Sequence, residues 1–489
     1  MKDFASYFIT ALAFSAPALL SAQGQQGSGS PYSAHALGDL TGTGQVTLAG
    51  MGGLAVTVAD PFSVARANPA TYCLLFHTSY EMGATVRWTR MTIGEETGRG
   101  RNTRLLGFSL GVPFARGRWG MAIGLQPYST VAYKFEDRVA IDEGTVRNEY
   151  TGSGGINRAF IGFGRTIWQR RDSTGLRARL SAGANFEFLF GTVESTRKAF
   201  YPIGSGYYHS SINSSLVLRA PTGTLGLMHS GRLISPERAQ RSLEERREKL
   251  AAKNKRDEMD HLNAGKPLED FKPRKLTNSR AEGLRWRAGL GLDLPASFTA
   301  QHSSLATSFR LAGTVETTVD TAQRVDGAYG TLGLPFGISA GVGIENSRWT
   351  LAAELQQRDW SAMRSDVEGY ALRTDLRPAT TYALGASFKP AGTQGGNFLK
   401  RTTYRAGVRY TQDPIALRDQ AISQFGMSFG CSLPIAGAST RSRINLAVEH
   451  GQRGTTAEGL LSERFTNLHI GITITPDLRE QWFKKRRIE

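Results

Sequence analysis

From about residue 77 to 476 the chain alternates apolar and polar side chains with a period of two. In segment 79–89, the residues Tyr80, Met82 and Trp88 share one side, opposite Glu81 and Arg87. Successive side chains of a strand point to opposite faces. The same alternation recurs in seven further segments: 180–190, 284–294, 349–358, 404–411, 425–433, 444–450 and 468–474. This pattern predicts an all-β, transmembrane antiparallel β-barrel, with one face toward hydrocarbon and the other toward a polar lumen.

The N-terminus favours a membrane barrel over a soluble β protein, whose half-buried strands also alternate. Lys2 precedes a mostly apolar run from 4 to 20, and Ser21 and Ala22 offer a cleavage site. We interpret 1–22 as a secretory signal peptide, with a membrane anchor as the alternative. No later stretch approaches the roughly 18 apolar residues of a spanning helix. The predicted location is the bacterial outer membrane.

The connections between strands predict about fourteen strands, an even number as in bacterial barrels. Short connections follow residues 114, 345 and 437, and the last of them holds Ala438-Ser439-Thr440. Long loops are expected near 94–102, 136–148, 197–210, 303–333, 362–378 and 451–463. Short turns face the periplasm in this class. The predicted organisation is a signal peptide at 1–22, a hatch or plug at 23–75, a barrel at 76–476 and a basic periplasmic tail at 477–489.

A charged insertion at 231–282 interrupts the barrel pattern. Ser235 before Pro236 resembles the start of a helix, and 238–262 contains neither glycine nor proline. Strand counting places the insertion on the periplasmic side, and a miscount by one strand would place it outside the cell. It is either a helix that docks a periplasmic protein partner or a solvated helix. The absence of a clear apolar stripe favours the second interpretation.

The segment 23–75 shows little alternation, and glycine and proline interrupt it every few residues. We predict a compact, irregular plug with one or two short helices. Its glycines are expected to permit positive φ angles, and Pro69 fixes φ beside the wall. A turn that simply packs the plug is the alternative. The candidate hatch residues are Gly50, Gly52, Gly53, Asn68, Pro69 and Ala70.

Short motifs in a fixed order resemble those of the FadL-like outer-membrane transporters of hydrophobic compounds, in the form common among Bacteroidota. They span residues 30 to 486, so the resemblance covers nearly the whole mature chain. The motifs are Ser30-Pro31-Tyr32-Ser33, Leu37-Gly38-Asp39-Leu40, Met51-Gly52-Gly53, Ala59-Asp60-Pro61, Asn68-Pro69-Ala70, Asp359-Trp360-Ser361, Tyr404-Arg405-Ala406-Gly407, Glu449-His450-Gly451-Gln452-Arg453-Gly454 and Trp482-Phe483-Lys484-Lys485-Arg486.

The resemblance implies a fourteen-stranded barrel with an N-terminal hatch that includes Asn68, Pro69 and Ala70. It also implies uptake of long-chain fatty acids or other hydrophobic small molecules, which leave sideways into the membrane lipid. The insertion at 231–282 departs from the family pattern. Because a related group with a similar hatch serves type IX secretion, a non-transporting barrel that scaffolds or docks secretion-system or other envelope partners is the alternative.

Inward-facing arginines are the candidates for holding the carboxylate of a hydrophobic acid. The alternative is that they fill the lumen by pairing with Glu81, Glu187, Asp293, Glu354 and Glu449. The candidate lumen cations are Arg87, Arg285, Arg287, Arg358, Arg405 and Arg409.

Other chemistry finds little support in the sequence. The net charge of +17 would suit nucleic acid, but the cations scatter through strands behind a secretory signal. Gly426-Met427-Ser428-Phe429-Gly430 fits the pattern of a hydrolase nucleophile, but it lies within an alternating strand. Cys73 and Cys431 make no disulfide framework. We therefore expect no enzyme, no nucleic-acid partner, no metal and no cofactor.

Overall fold

The computed structural model describes residues 29–476 except for 43, 116, 173–174, 264–266, 268–270, 272, 274–282, 371, 373–375, 393–396 and 436–440. The predicted signal peptide at 1–22, the turn at 438–440 and the basic tail at 477–489 lie outside the described residues.

Long antiparallel strands dominate the structure, which confirms the predicted fold class. The strands are β1 (Asp39–Leu40), β2 (Ser79–Ile93), β3 (Glu96–Ala115), β4 (Trp119–Thr130), β5 (Tyr133–Ile141), β6 (Gly144–Asp172), β7 (Gly175–Phe200), β8 (His209–Arg232), β9 (Arg285–Asp293), β10 (Ala296–Ala312), β11 (Val315–Leu334), β12 (Gly337–Glu345), β13 (Trp349–Asp359), β14 (Pro378–Phe388), β15 (Thr403–Leu417), β16 (Gln420–Pro434), β17 (Arg443–Gly454) and β18 (Ser462–Ile474).

Fourteen of these strands form the closed wall, in the order β2, β3, β4, β6, β7, β8, β9 and β12 to β18. The last strand, β18, pairs with β2 from Ser462 opposite Thr92 to Ile474 opposite Tyr80, which closes the barrel. Closure removes the unpaired strand edges that hydrocarbon could not solvate. The ends of β3, β6 and β12, each followed by a short connection, lie at one end of the wall, together with the start of β2 and the end of β18. We call this end the short-turn end.

The two faces of the wall differ as the alternation predicts. Phe429 and Met82 on the outer face are 65% and 45% exposed, whereas the inward Thr85 is fully buried. Inward polar side chains bond to one another across strands, as Thr85 does to Nδ1 of His469 at 2.7 Å. The wall therefore separates an apolar exterior from a hydrogen-bonded interior, as expected of an outer-membrane barrel.

Several predicted long loops are instead strands that extend beyond the wall, opposite the short-turn end. The segment 303–333 is the hairpin of β10 and β11, and β10 continues the pairing of β9 along β8 after the break at Leu294 and Pro295. Segment 136–148 is likewise the hairpin of β5 and β6. We call β5, β10, β11 and the adjoining halves of β6, β7 and β8 the extension sheet. Residues 315–324 of β11 are exposed on both faces, whereas nearer the wall one face of the sheet packs Leu218, Phe298 and Leu332 into a buried cluster. The exposed part of its sequence therefore lacks the alternation that revealed the wall.

The described residues of 29–77 pack against inward-facing residues of the wall, and we call this segment the plug. Their helical pieces are short: a 3-10 helix at Pro31–Ala34, α1 at Val46–Ala49 and a second 3-10 helix at Pro69–Leu74. Leu54, Val56 and Val64 of this segment have no exposed surface. The plug buries its apolar side chains against the wall, and so it needs no long element of its own.

The insertion contains the helix α2 (Pro236–Asn263), which begins where Oγ of Ser235 accepts a hydrogen bond from the Arg238 N–H at 3.2 Å. It lies between β8 and β9, the sixth and seventh wall strands, and Arg232 at its start pairs with Asp172 at the end of β6 at 3.1 Å. The insertion thus leaves the barrel at the short-turn end. A last helix, α3 (Phe398–Arg401), forms part of the β14–β15 turn. None of the described helices combines the length and the apolarity needed to span a bilayer.

Candidate functional site

Asn68 hydrogen-bonds to two separate parts of the plug backbone and to one strand of the wall. Its side chain accepts a hydrogen bond from the Ala70 N–H at 3.2 Å and so caps the short helix that Pro69 begins. Its Nδ2 donates to the carbonyl oxygens of Val56 at 2.7 Å and Leu227 at 3.2 Å. Asn68 is fully buried. The predicted Asn68-Pro69-Ala70 element is therefore placed at a junction between plug backbone and strand β8.

Inward glycines of the wall make room for the plug backbone. A Cβ on Gly183 of β7 would lie 2.5 Å from the Pro69 carbonyl carbon, and one on Gly226 of β8 would lie 2.6 Å from Pro69 Cδ. A Cβ on Gly407 of β15 would lie 2.3 Å from the Gly52 nitrogen. Contacts this short exclude any side chain at these positions. Similar contacts with plug backbone below 3 Å hold at Gly120, Gly164, Gly289, Gly291 and Gly385.

The candidate hatch glycines serve two different purposes. Gly52 and Gly53 have φ angles of +74° and +76°, as expected for glycines that permit a left-handed turn. Gly50 differs from that expectation, because its φ is −67°. An ideal Cβ on Gly50 would lie 3.1 Å from the Gly430 Cα, so the close approach of two backbones favours glycine there.

A carboxylate of the wall binds the plug backbone directly. Glu354 of β13 accepts hydrogen bonds from three consecutive N–H groups, those of Ala55 at 2.6 Å, Val56 at 3.0 Å and Thr57 at 2.7 Å. Glu81 of β2 similarly accepts from the Val64 N–H at 3.0 Å. The sequence suggested these two carboxylates as partners of arginine, but they bind the main chain of the plug instead.

Two of the six candidate arginines lie in the part of the lumen that is farther from the short-turn end. Each forms an ion pair with one of the carboxylates suggested by the sequence. Arg358 contacts Asp293 at 2.7 Å, and Arg409 contacts Glu449 at 2.5 Å. Arg87 instead lies 3.7 Å from Glu463 and stacks over the Phe465 ring, with its guanidinium carbon 4.4 Å from the ring centroid.

The other three candidates lie near the short-turn end. Arg287 pairs with Glu345 at 2.6 Å, Arg285 donates to the Leu176 carbonyl at 3.0 Å, and Arg405 donates to Ser432 Oγ at 2.5 Å. The structure therefore separates the six arginines into two groups at opposite ends of the plug.

Plug residues supply ionic contacts that the sequence analysis missed. Arg66 pairs with Glu187 at 2.8 Å, and Asp39 pairs with Arg453 of β17 at 2.6 Å. Asp60 receives two hydrogen bonds from Arg443, at 2.9 and 3.1 Å. Burial opposes ionisation of Asp60, but the Arg443 guanidinium outweighs it and lowers the pKa of the carboxyl to about 2. Charge alternation along single strands could not indicate these pairs, because each joins the plug to a distant strand.

A cavity of about 320 Å³ lies between the plug and the part of the wall that is farther from the short-turn end, and we call it the lumen cavity. Arg87, Arg358 and Arg409 line it, together with Arg104 of β3 and Arg158 of β6. Arg158 lies 3.5 Å from Glu187. Arg104 has no ion pair or hydrogen bond among the residues that the structure describes, and its Nε is buried without a partner. This cavity therefore offers a ligand a guanidinium that none of the described residues binds directly.

The wall opens between β3 and β4 beside this cavity. The two strands pair only up to Phe108 opposite Leu125. Beyond that point β4 turns inward, and its Ser129 and Thr130 pair with the plug strand β1 instead. Pro127 lies in the diverging part and has no N–H to leave unpaired. We call the opening between β3 and β4 the wall gap.

Arg104 lies between the wall gap and the lumen cavity. A space of about 80 Å³ in the gap is lined by Leu105, Phe108, Leu125 and Val131, and Arg104 lines both this space and the lumen cavity. Gly107 at the base of the gap has a φ of +84°, and an ideal Cβ there would lie 2.0 Å from the Leu125 carbonyl oxygen. Only glycine therefore permits the two strands to part at this point.

The family model named BamG matches residues 6–266 and 275–489, which is nearly the whole chain. The chain belongs to the BamG family. No curated protein matches it significantly.

Among solved structures, this BamG-family chain is similar to the toluene transporter TbuX of Ralstonia pickettii, with 14% sequence identity and a TM-score of 0.50. The match covers 89% of this chain and 98% of TbuX. A deltaS2 mutant of the TodX monoaromatic hydrocarbon channel matches with 13% identity and a TM-score of 0.50, over 89% of this chain and 99% of TodX. The fold is thus that of the FadL-like outer-membrane barrels, as the sequence motifs predicted.

The serine of the hydrolase-like pattern has a structural role in this BamG-family barrel. Ser428 lies within strand β16, and its Oγ accepts a hydrogen bond from the Gly52 N–H at 2.8 Å. His450, on the neighbouring strand β17, points outward and bonds to Thr466 at 3.0 Å. The two cysteines are separate thiols, with Cys73 buried in the plug.

Proposed function

We propose that this barrel carries hydrophobic small molecules, of the class of long-chain fatty acids, across the outer membrane. The observation that carries the proposal is the wall gap, which lies beside the lumen cavity and shares the lining residue Arg104 with it. The shared fold with a toluene transporter and a monoaromatic hydrocarbon channel supports the same class of cargo. The polar charged surface of the outer leaflet is the barrier that such a route avoids.

A sideways exit suits an apolar cargo for a simple energetic reason. Each Å² of apolar surface that leaves water gains about 25 cal/mol, so a long acyl chain moves favourably from the lumen into hydrocarbon. Leu105, Phe108, Leu125 and Val131 give the gap an apolar lining against which such a chain can pack.

The position of Arg104 favours an acid over a neutral hydrocarbon as the cargo. Its guanidinium lies between the lumen cavity and the gap, and it has no carboxylate partner in the described part of the chain. A guanidinium binds a carboxylate through two parallel hydrogen bonds. A fatty acid could place its carboxylate on Arg104 while its chain enters the gap.

Variants of the gap and of Arg104 should separate the exit route of the cargo from the preference for an acid. We expect Leu105→Trp, which fills the gap, to lower the uptake of both labelled oleate and labelled toluene. Arg104→Gln should lower oleate uptake by about tenfold or more, because a hydrogen bond to a charged group contributes about 1.5–3 kcal/mol. It should leave toluene uptake unchanged. Uptake is measured in cells that express each variant in place of the native gene.

The matched control is Leu110→Trp on the same strand. Leu110 pairs with Ile123 where β3 and β4 are still joined, so a larger side chain there meets lipid without blocking the gap. Uptake of oleate and toluene by Leu110→Trp should equal uptake by the native protein. Oleate and toluene uptake by Leu105→Trp at the control level would contradict the proposed route.

The helix α2 favours a second candidate function, the docking of a periplasmic protein partner. It is a regular helix of 28 residues at the short-turn end, and its insertion departs from the pattern of the transporters that the sequence resembles. Replacing 236–263 by a glycine-serine linker of equal length should remove cross-linked partners in cells and leave oleate uptake intact. Shortening the β10–β11 hairpin is the control. An unchanged set of cross-linked proteins after replacement of α2 would contradict this role.

A further inference from the structure

A second cavity lies at the short-turn end, on the opposite side of the plug from the lumen cavity. Its volume is about 700 Å³, and it is bounded by plug residues 58–63, by the β12–β13 and β14–β15 turns and by the start of β17. We call it the short-turn cleft. Seven cationic side chains and two carboxylates, Asp60 and Glu345, line it, so positive charge exceeds negative charge by five.

Two of the seven cations are neutralised within the cleft. Arg443 pairs with Asp60 at 2.9 Å, and Arg287 pairs with Glu345 at 2.6 Å. Arg405 is more than nine-tenths buried and donates to Ser432 Oγ, but no carboxylate lies within ion-pair distance of it among the described residues. A buried guanidinium without a counter-charge is costly. Its presence is explained if an anion occupies the cleft.

Three further cations at the rim of the short-turn cleft add to its excess of positive charge. Lys389 and Arg401 come from the β14–β15 turn and Arg441 from the turn before β17. Within the described ranges, the side chains of these three residues form neither ion pairs nor hydrogen bonds. Like charges gathered in a concave site repel one another and focus a positive potential, which a multiply charged anion would relieve. Arginine forks also match the oxygens of a phosphate group.

The floor of the cleft is apolar. Leu48, Met51, Val58 and Phe62 of the plug line it beneath the cations. An inorganic ion would leave this floor unused, whereas the upper part of a lipid chain could cover it. Short turns of outer-membrane barrels face the periplasm, next to the phospholipid leaflet.

We propose that the short-turn cleft is a binding site for a phosphate ester, with Lys389, Arg401, Arg405 and Arg441 as its ligands. The phosphate group belongs either to the head group of an anionic phospholipid or to a free phosphate compound. The site is distinct from the wall gap and does not depend on the transport of hydrophobic cargo.

The test uses the purified full-length barrel in an uncharged detergent. Dihexanoylphosphatidylglycerol and inorganic phosphate are titrated separately by isothermal calorimetry. Saturable binding is expected for at least one of them. The triple variant Lys389→Gln/Arg401→Gln/Arg441→Gln should raise its Kd by about tenfold or more, since each lost contact is a hydrogen bond to a charged group. Heat-modifiable migration on gels verifies that the variant barrel is folded.

The matched control is Arg170→Gln/Arg171→Gln/Arg177→Gln, which removes three exposed cations near another turn at the same end. Its Kd should equal that of the native protein. Tighter binding of the lipid than of phosphate assigns the site to a lipid head group, and equal Kd values assign it to phosphate itself. The proposal is overturned if neither probe binds saturably, if both triple variants bind equally, or if a polyglutamate peptide binds more tightly than either probe.

Discussion

Replacing Glu354 with alanine is expected to detach the plug from the wall and raise the conductance of the barrel. The three N–H groups of Ala55, Val56 and Thr57 would lose their shared acceptor. Each unsatisfied buried donor costs about 1–3 kcal/mol, and even about 3 kcal/mol in total would increase the detached fraction on the order of 100-fold. Planar-bilayer recordings of the purified barrel measure the conductance.

Two further variants make this result specific. Glu354→Gln keeps the length of the side chain but offers a single acceptor oxygen to three converging donors, so its conductance should lie between those of the native and alanine forms. Glu194→Ala removes an exposed carboxylate of the extension sheet and should change nothing. Native conductance in Glu354→Ala would show that this carboxylate does not hold the plug.

Gly183→Val is expected to displace the Asn68-Pro69-Ala70 element. A Cβ on Gly183 would lie 2.5 Å from the Pro69 carbonyl carbon and 2.7 Å from the Ala70 nitrogen, and these backbone atoms cannot rotate away. Overpacking of this kind typically costs about 1–3 kcal/mol. The plug should therefore become sensitive to protease while the barrel still shows heat-modifiable migration on gels.

The neighbouring residue provides the control. Ala184 lies next to Gly183 on β7 but points outward, so Ala184→Val adds the same methyl groups to the lipid-facing side. Its plug should stay protected. If Gly183→Val prevents folding altogether, Gly183→Ala offers the milder form of the same clash. Full protection of the plug in Gly183→Ala and Gly183→Val would refute the close contact.

The outer face of the wall was predictable because two different media solvate it. Hydrocarbon selects Met82 and Phe429 outside, and the hydrogen-bonded interior selects Thr85 inside, so the alternation is visible in any single strand. The exposed part of the extension sheet was missed for the same physical reason, since both faces of 315–324 meet water. The start of α2 was predictable from Ser235, because a helix cap depends only on residues close in sequence.

The lumen was less predictable. The sequence indicated which arginines and glutamates point inward, and the pairs Arg358–Asp293 and Arg409–Glu449 follow from that set. It could not indicate that Glu354 binds plug backbone, because the partner is an N–H group that every residue carries. Nor could it indicate that Arg104 lacks a partner, since that depends on where β4 leaves β3.

By itself, the sequence determined the class of the molecule: an alternating wall, an irregular N-terminal plug and a charged helical insertion. Each of these follows from short-range periodicity and from the solvent that each face meets. Only the tertiary structure decided where the wall parts, which glycines receive the plug and which cations gather in the short-turn cleft. These features depend on contacts between segments hundreds of residues apart, and local sequence patterns carry no record of such contacts.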